Sequence, residues 1–452
     1  MSNASSTVAA QALPPGPETS PEQQTFEYFA RPYEFLRACA AAYGDVFTVR
    51  FRDFGTHVVV ADPDSIRRVF AADPKTALAG TGNAILRPIL GAASLLLLDG
   101  ADHARVRRVL MPPFYAQRMR AHALDMRAIV RAKVSRWADG DEVPILRATF
   151  DLSLAIIVRV VLGDHARASE IAPRVASLMQ LANTGGAFLD DANAARERFD
   201  RAALELDEAL VALVADARTA AAPARDSVLA LLVAARDGEG EPLSPAVLRD
   251  QLLTLLVAGH ETTATAIGWA LHLVHAHPAT LARLRAELDA LGPSPDVDAW
   301  TTLPWLDAVC QETLRLRPVV PVVSRFLLAP LELAGGHVAP AGVYVTPSTY
   351  LAHHRQDVFA EPDAFRPERF LEQTFTGHQY LPFGGGARRC LGLSFAIQEM
   401  KIALATMLTE LDFTPLHTTS IRTVRRSVTV GPSASLRMRV RRRGLVTTEN
   451  IP

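Results

Sequence analysis

The spacing of apolar residues divides the chain into a β-rich start, a long helical middle and a β-rich end. Runs of β-branched and aromatic residues predict short strands at 45–51 (DVFTVRF), 56–62 (THVVVAD), 343–348 (VYVTPS) and 427–430 (SVTV). Between them, apolar residues recur at three- and four-residue intervals over Asp102–Met111, Pro173–Leu181, Ala192–Thr219 and Ser244–His277, which predicts amphipathic helices. No repeat or long low-complexity linker interrupts this order. The pattern predicts one mostly α (α+β) domain over 25–445, flanked by a tail at 446–452. Residues 1–24 are polar and Pro-rich and read as a disordered arm.

Composition narrows the class. Of 452 residues, 49% are hydrophobic and 21% charged, enough for a large core. Lys+Arg (47) nearly balances Asp+Glu (48), so no net field points to nucleic acid or an acidic membrane. No segment qualifies as a membrane span, and the N-terminus lacks the charged and apolar regions of a signal peptide. The three cysteines, Cys39, Cys310 and Cys390, are too scattered for a disulfide framework or a zinc site. A cytoplasmic protein without a stable membrane anchor is expected.

The segment 244–277 starts with Ser244 as an N-cap and Pro245 at the first helical position, and it runs to just before Pro278. At 1.5 Å per residue such a helix is roughly 50 Å long and belongs at the centre of the molecule. Its middle, however, carries Gly259, His260, Glu261, Thr262 and Thr263. A glycine inside a helix costs roughly 1 kcal/mol relative to Ala, and a buried Glu costs more. A helix surfacing at this point is one explanation. The other is a local opening in which a threonine hydroxyl bonds back to the carbonyl four residues earlier, setting an acid beside an alcohol as a proton relay. The zinc-protease pattern HExxH fails, because Ala264 stands where its second histidine belongs.

The stretch PFGGGARRCLG (382–392) places Cys390 in a loop with Gly384, Gly385, Gly386 and Gly392, next to Arg388 and Arg389. Glycine-permitted turns present N–H groups, and the helical run after Gly392 offers the positive end of a helix, both of which favour a thiolate. A nucleophile would want a histidine partner and a redox thiol a second cysteine. A lone metal ligand suits a metal already held by a macrocycle, haem being the obvious case.

Four segments, in order, resemble the cytochrome P-450 monooxygenases. Phe383–Gly392 is similar to the family's haem loop, and Ala258–Thr263 to its oxygen-activating helix. Glu312–Thr313–Leu314–Arg315 resembles its ExxR helix, and Pro367–Phe370 its PERF segment. The resemblance covers roughly residues 25 to 440 and implies haem b ligated by Cys390, with Phe383, Gly384, Leu391 and Gly392 around the ligand and Gly259 facing the haem from the helix. It further implies that Thr262 and Glu261 supply protons during dioxygen activation. Glu312, Arg315 and Arg369 would form a buried ionic triad, and His103, Arg107, Arg325 and Arg388 would hold the haem propionates. Dioxygen is then the co-substrate, with electrons ultimately from NAD(P)H through a ferredoxin or flavodoxin and its reductase. The short LPPGP at 13–17 looks like the hinge that follows an anchor in eukaryotic members, with too little chain before it to hold one, so a bacterial-type enzyme is expected.

By position the substrate pocket would draw on 78–95, 175–190, the central helix, 318–323 and 427–429. Candidate lining residues are Leu86, Leu181, Phe188, Leu253, Val257, Ala258, Val320, Val322, Val323 and Val428. These imply an apolar small-molecule substrate: a fatty acid, terpenoid, steroid-like or polyketide compound that is hydroxylated or epoxidised. A peroxide-using peroxygenase of the same fold is a rival reading, though Glu261–Thr262 argues against it. A non-catalytic haem sensor or lipid carrier is another.

Overall fold

The computed structural model describes residues 13–183, 194–219, 227–236, 240–292, 295–416 and 421–444. Helices form its body, and strands from the β-rich start of the chain meet Arg325–Leu327 and Tyr344–Pro347 in one sheet. Five strands lie in the spatial order Val46–Phe51, Gly55–Val60, Tyr344–Pro347, Arg325–Leu327 and Ala77–Leu78. The first two form an antiparallel hairpin, Val46 opposite Val60. The second runs parallel to Tyr344–Pro347, with His57 opposite Tyr344. Val58, Val60 and Val345 are buried together beneath the sheet.

The central helix spans Pro245–Ala276, 32 residues, and the Ser244 hydroxyl accepts from the Val247 N–H at 3.2 Å. It packs against Ile145–Leu162, Ala194–Thr219 and Leu393–Glu410, inside one large apolar cluster. The helix expected from Pro173 begins at Ala168, because Ile171 and Val175 continue its buried stripe through the proline. Asp102–Met111 appears as Gly100–Leu110 and Ala192–Thr219 as Ala194–Thr219. No helix among the described residues is long and apolar enough to cross a membrane.

Two expectations are corrected. The strand expected at 427–430 is instead a turn plus half a hairpin: Thr423–Arg426 pairs with Thr429–Pro432, and Ser427 turns the chain at φ 50°. Residues 13–24 are not a disordered arm. The Thr48 N–H donates to Pro15 O at 2.8 Å and the Thr48 hydroxyl to Pro14 O at 2.7 Å. A Cβ on Gly16 would lie 1.8 Å from the Thr48 carbonyl oxygen, so only glycine lets this strap lie flat on the sheet. The helix Pro21–Ala30 follows, N-capped by Ser20, with Gln24 fully buried beneath it. The tail at 446–452 lies outside the described residues.

Glu399, on the helix after the cysteine loop, is a buried carboxyl in the core. Burial raises its pKa from the ordinary 4.5 to about 8, against a weaker opposing pull from the Ser153 hydroxyl. The folded state therefore favours the neutral acid. Stability is full below about 4.5 and falls as pH rises towards about 8. Glu399→Gln, which keeps the neutral shape, should flatten the melting temperature between pH 5 and pH 8 relative to the parent. Parallel curves for the two proteins would refute this.

Candidate active site

A cavity of about 740 Å³ lies where the middle of the central helix faces the cysteine loop. On the helix side, Thr262 Oγ1 donates to Ala258 O, four residues back, at 2.7 Å. The helix thus opens onto an interior cavity through Val257, Ala258, Gly259 and Thr262, and not onto the outer surface. A Cβ on Gly259 would sit 2.8 Å from Ile157 Cδ1, so the glycine also admits the neighbouring helix. His260 turns away: its Nε2 meets Phe150 O at 3.1 Å, and burial lowers its pKa to about 4, leaving a neutral structural group.

Glu261 lines the cavity but does not touch Thr262. Its Oε1 accepts from Thr429 Oγ1 at 2.5 Å and its Oε2 from Asn183 Nδ2 at 3.0 Å. Burial raises its pKa, while these two bonds and the charge of Arg426 pull it down. The acid is thereby tied to the C-terminal hairpin and to the end of the helix Ala168–Asn183. Sequence reasoning missed Asn183, whose pairing with Glu261 leaves no local signal.

Opposite the helix, the Cys390 N–H donates to Phe383 O at 2.9 Å, closing the loop. Gly384 and Gly386 take φ 65° and 64°, conformations that favour glycine. A Cβ on Gly385 would lie 2.2 Å from the Phe70 ring. The Cys390 side chain is open to the cavity although it lies deep within the protein. Burial raises its pKa, and the Gly392 N–H, Arg107 and Arg389 oppose that rise. Phe383, Gly384, Leu391 and Gly392 also line the cavity.

His103, Arg107, Arg325 and Arg388 gather on the same cavity. Burial, with Arg388 and Arg107 adding to it, lowers the His103 pKa to about 4, so this residue offers a neutral N–H and not a charge. Burial lowers the Arg325 pKa to about 10. Its Nη1 reaches only Ser324 O, at 2.9 Å, and Arg107 Nη2 reaches Arg389 O at 2.8 Å. Neither has a carboxylate within salt-bridge reach among the described residues. Arg388 differs, with Nη2 2.7 Å from Asp99 Oδ1. Asp99 in turn accepts from the Gly80 N–H at 2.7 Å, a partner the sequence did not reveal. Two inward-facing cations without anions, beside an open thiol and across from the small and polar residues Ala258, Gly259 and Thr262 of the helix, fit a macrocycle carrying carboxylates and a metal. The residues present fit haem.

The remaining wall is apolar. Leu86, Val320, Val322, Val323 and Val428 line it as expected positions. Leu253 does not: it is buried in the core, because residues two apart on a helix point about 200° from each other and Leu255 takes the cavity side. Leu181 likewise packs on the core, and Phe188 lies outside the described residues. The segment 93–95 is clamped to the central helix. Asp250 Oδ2 accepts from the Ala93 N–H at 2.7 Å, Gln251 Oε1 from the Leu95 N–H at 3.0 Å, and Thr254 Oγ1 donates to Ser94 Oγ at 2.7 Å.

Behind the loop, Glu312, Arg315 and Arg369 meet in a buried cluster, 0%, 0% and 2% exposed. Arg315 Nε and Nη2 donate to the two Glu312 oxygens at 2.6 and 2.9 Å, and Arg369 Nε lies 3.1 Å from Oε2. Arg315 also donates to the carbonyls of His353, Pro362 and Ala364. His353 Nε2 accepts from the Leu381 N–H at 2.9 Å, which places its proton on Nδ1, facing Arg315 O at 3.2 Å. The triad therefore grips the cysteine loop through His353.

The sequence profile of the cytochrome P450 family matches residues 14–436. The chain is 37% identical to "Putative cytochrome P450 135B1" of Mycobacterium bovis over 96% of its own length and 92% of that protein. Among solved structures, retinoic acid-bound cyanobacterial CYP120A1 superposes with a TM-score of 0.86 at 26% identity, covering 96% of this chain and 100% of that one. CYP102L1 superposes at 0.81 with 25% identity and the same coverage. A thiol and the central helix's Gly259 and Thr262 lining one cavity, within a fold shared end to end with these proteins, leave a single assignment: this chain belongs to the cytochrome P450 family and is a P450 monooxygenase.

Proposed function

We propose that this monooxygenase hydroxylates or epoxidises an apolar small molecule, with Cys390 as the haem ligand. The observation that carries the reading is the cavity that Cys390 shares with Ala258, Gly259 and Thr262 of the central helix beneath an aliphatic wall. Arg107 and Arg325, with the N–H of His103, would hold the haem carboxylates, and Arg388, already balanced by Asp99, would brace the same edge. Haem bound there supplies the redox centre for reductive activation of dioxygen. Dioxygen and two electrons ultimately from NAD(P)H, delivered by a ferredoxin or flavodoxin and its reductase, complete the stoichiometry. The aliphatic wall orients the substrate and excludes water. Retinoic acid in the cyanobacterial neighbour is a ligand of the same apolar kind.

Thr262 holds a proton at Oγ1, now parked on Ala258 O, and Glu261 holds a second acidic group near it. Because Glu261 bonds to Thr429 and Asn183, proton passage between the acid and the alcohol runs through the cavity and not along a direct bond. Thr262→Ala should lower product formation by roughly 100-fold or more while reductant is still consumed and peroxide appears. A peroxygenase would keep its peroxide-driven rate, and a sensor would show no turnover before or after the change. The reading itself is tested by the carbon monoxide difference spectrum of the reduced holoprotein, where a thiolate ligand gives the red-shifted Soret band. A band at the shorter wavelength of a neutral ligand refutes it.

A further inference from the structure

The cavity has cations at two places, and only one set is used by the reading above. Arg107, Arg325 and Arg388 line the end of the cavity where they would hold the haem carboxylates. Arg425 and Arg426 line the cavity from the C-terminal hairpin, and neither has a carboxylate within salt-bridge reach among the described residues. Adjacent residues on a strand point to opposite faces, and the two guanidinium groups lie in different surroundings. Arg426 packs inward: its Nη2 donates to Pro432 O at 2.7 Å, and its charge acts on Glu261.

Arg425 faces the N-terminal helix. Its guanidinium lies 3.8 Å from the centre of the Phe29 ring and 4.6 Å from that of Tyr28. Its Nε donates to Ser427 O at 2.7 Å, which fixes the plane of the group. Nη1 is buried without an acceptor, and Nη2 makes no hydrogen bond to a described residue. Nη1 is sealed from solvent, so Nη2 is the donor left for a carboxylate, which it can hold through one charge-assisted hydrogen bond. Phe29 is 39% exposed, so this end of the cavity lies towards the surface.

We propose that Arg425 docks a carboxylate on the substrate, so that the substrates of this enzyme are apolar carboxylic acids held by the acid group near Phe29 with the chain extending towards Thr262. This rests on the monooxygenase reading and narrows its substrate class. Ring stacking by itself gives Arg425 a merely structural role. That alternative predicts no preference between an acid and its ester.

The test is a spin-state titration of the holoenzyme with saturated C12 to C18 fatty acids and their methyl esters. The parent should bind acids about tenfold or more tightly than the matching esters. Arg425→Gln should erase that preference, weakening acids about tenfold and leaving esters within about twofold, and Arg425→Lys should restore part of it. Equal affinity for acid and ester, an equal loss for both in Arg425→Gln, or binding of esters alone would overturn the proposal. So would failure of every acid to bind. Each of these outcomes leaves the thiolate band intact, whereas loss of that band in the parent protein would refute the monooxygenase reading instead.

Discussion

Cys390→Ser is expected to abolish the red-shifted Soret band of the reduced carbonyl complex and to cut product formation by more than about 100-fold. Residues that merely orient a metal ligand cost 10–100-fold when replaced, and a ligand itself should cost more. Serine nearly matches cysteine in size and keeps the backbone N–H that donates to Phe383 O. The glycine turns at Gly384 and Gly386 are untouched, so the loop should persist. What disappears is the sulfur that the Gly392 N–H, Arg107 and Arg389 favour as an anion. An unchanged melting temperature of the apoprotein together with loss of the band would assign the effect to ligation. Retention of the band would remove Cys390 from the site.

Glu312→Ala should be the most damaging change away from the cavity. It leaves Arg315 and Arg369 buried without their shared carboxylate, and breaking a buried pair costs about 3–5 kcal/mol. With an unfolding entropy of about 2.1 cal/mol/K per residue, that corresponds to a fall of roughly 3–5 °C in melting temperature. The injury should spread along a definite line. Arg315 braces the His353 carbonyl, and the His353 ring takes the Leu381 N–H at the entrance to the cysteine loop. Haem occupancy on expression should therefore drop along with stability. A variant that melts within a degree of the parent and takes up haem normally would show that the triad is dispensable.

What could be read from the sequence depended on how local each signal was. Ser244–Pro245 announced the central helix because a cap and its helix are neighbours in the chain. Thr262 announced its bond to Ala258 for the same reason. The cysteine loop was legible because its glycines, cations and sulfur share eleven positions, Pro382 to Gly392. The strap before Pro21 was misread because its order comes from Thr48, on a strand whose pairing composition cannot report. Ser427 carried no glycine to warn of a turn. Asn183 and Thr429 reach Glu261 from segments far along the chain, and Asp99 and His353 are positioned in the same long-range way. Leu253 was misplaced because apolarity was weighed without the rotation of two residues that separates it from Leu255.

The strap over Thr48 also settles what the outermost strand can touch. Val46–Phe51 is the last strand on its side of the sheet, so half of its N–H groups point away from every other strand. Those of Thr48 and Arg50 are taken by Pro15 O and by Gln24 Oε1 at 2.7 Å, and Arg52, just beyond, gives its N–H to Thr25 Oγ1 at 2.8 Å. An open row of this kind is a template on which a second molecule can add a strand. Here the covering segment begins with two prolines, which have no N–H to extend a ladder, and then becomes a helix, whose donors are already used. The N-terminal residues thus guard the protein against its own copies, a service to molecules crowded together that the chemistry of the cavity never calls on.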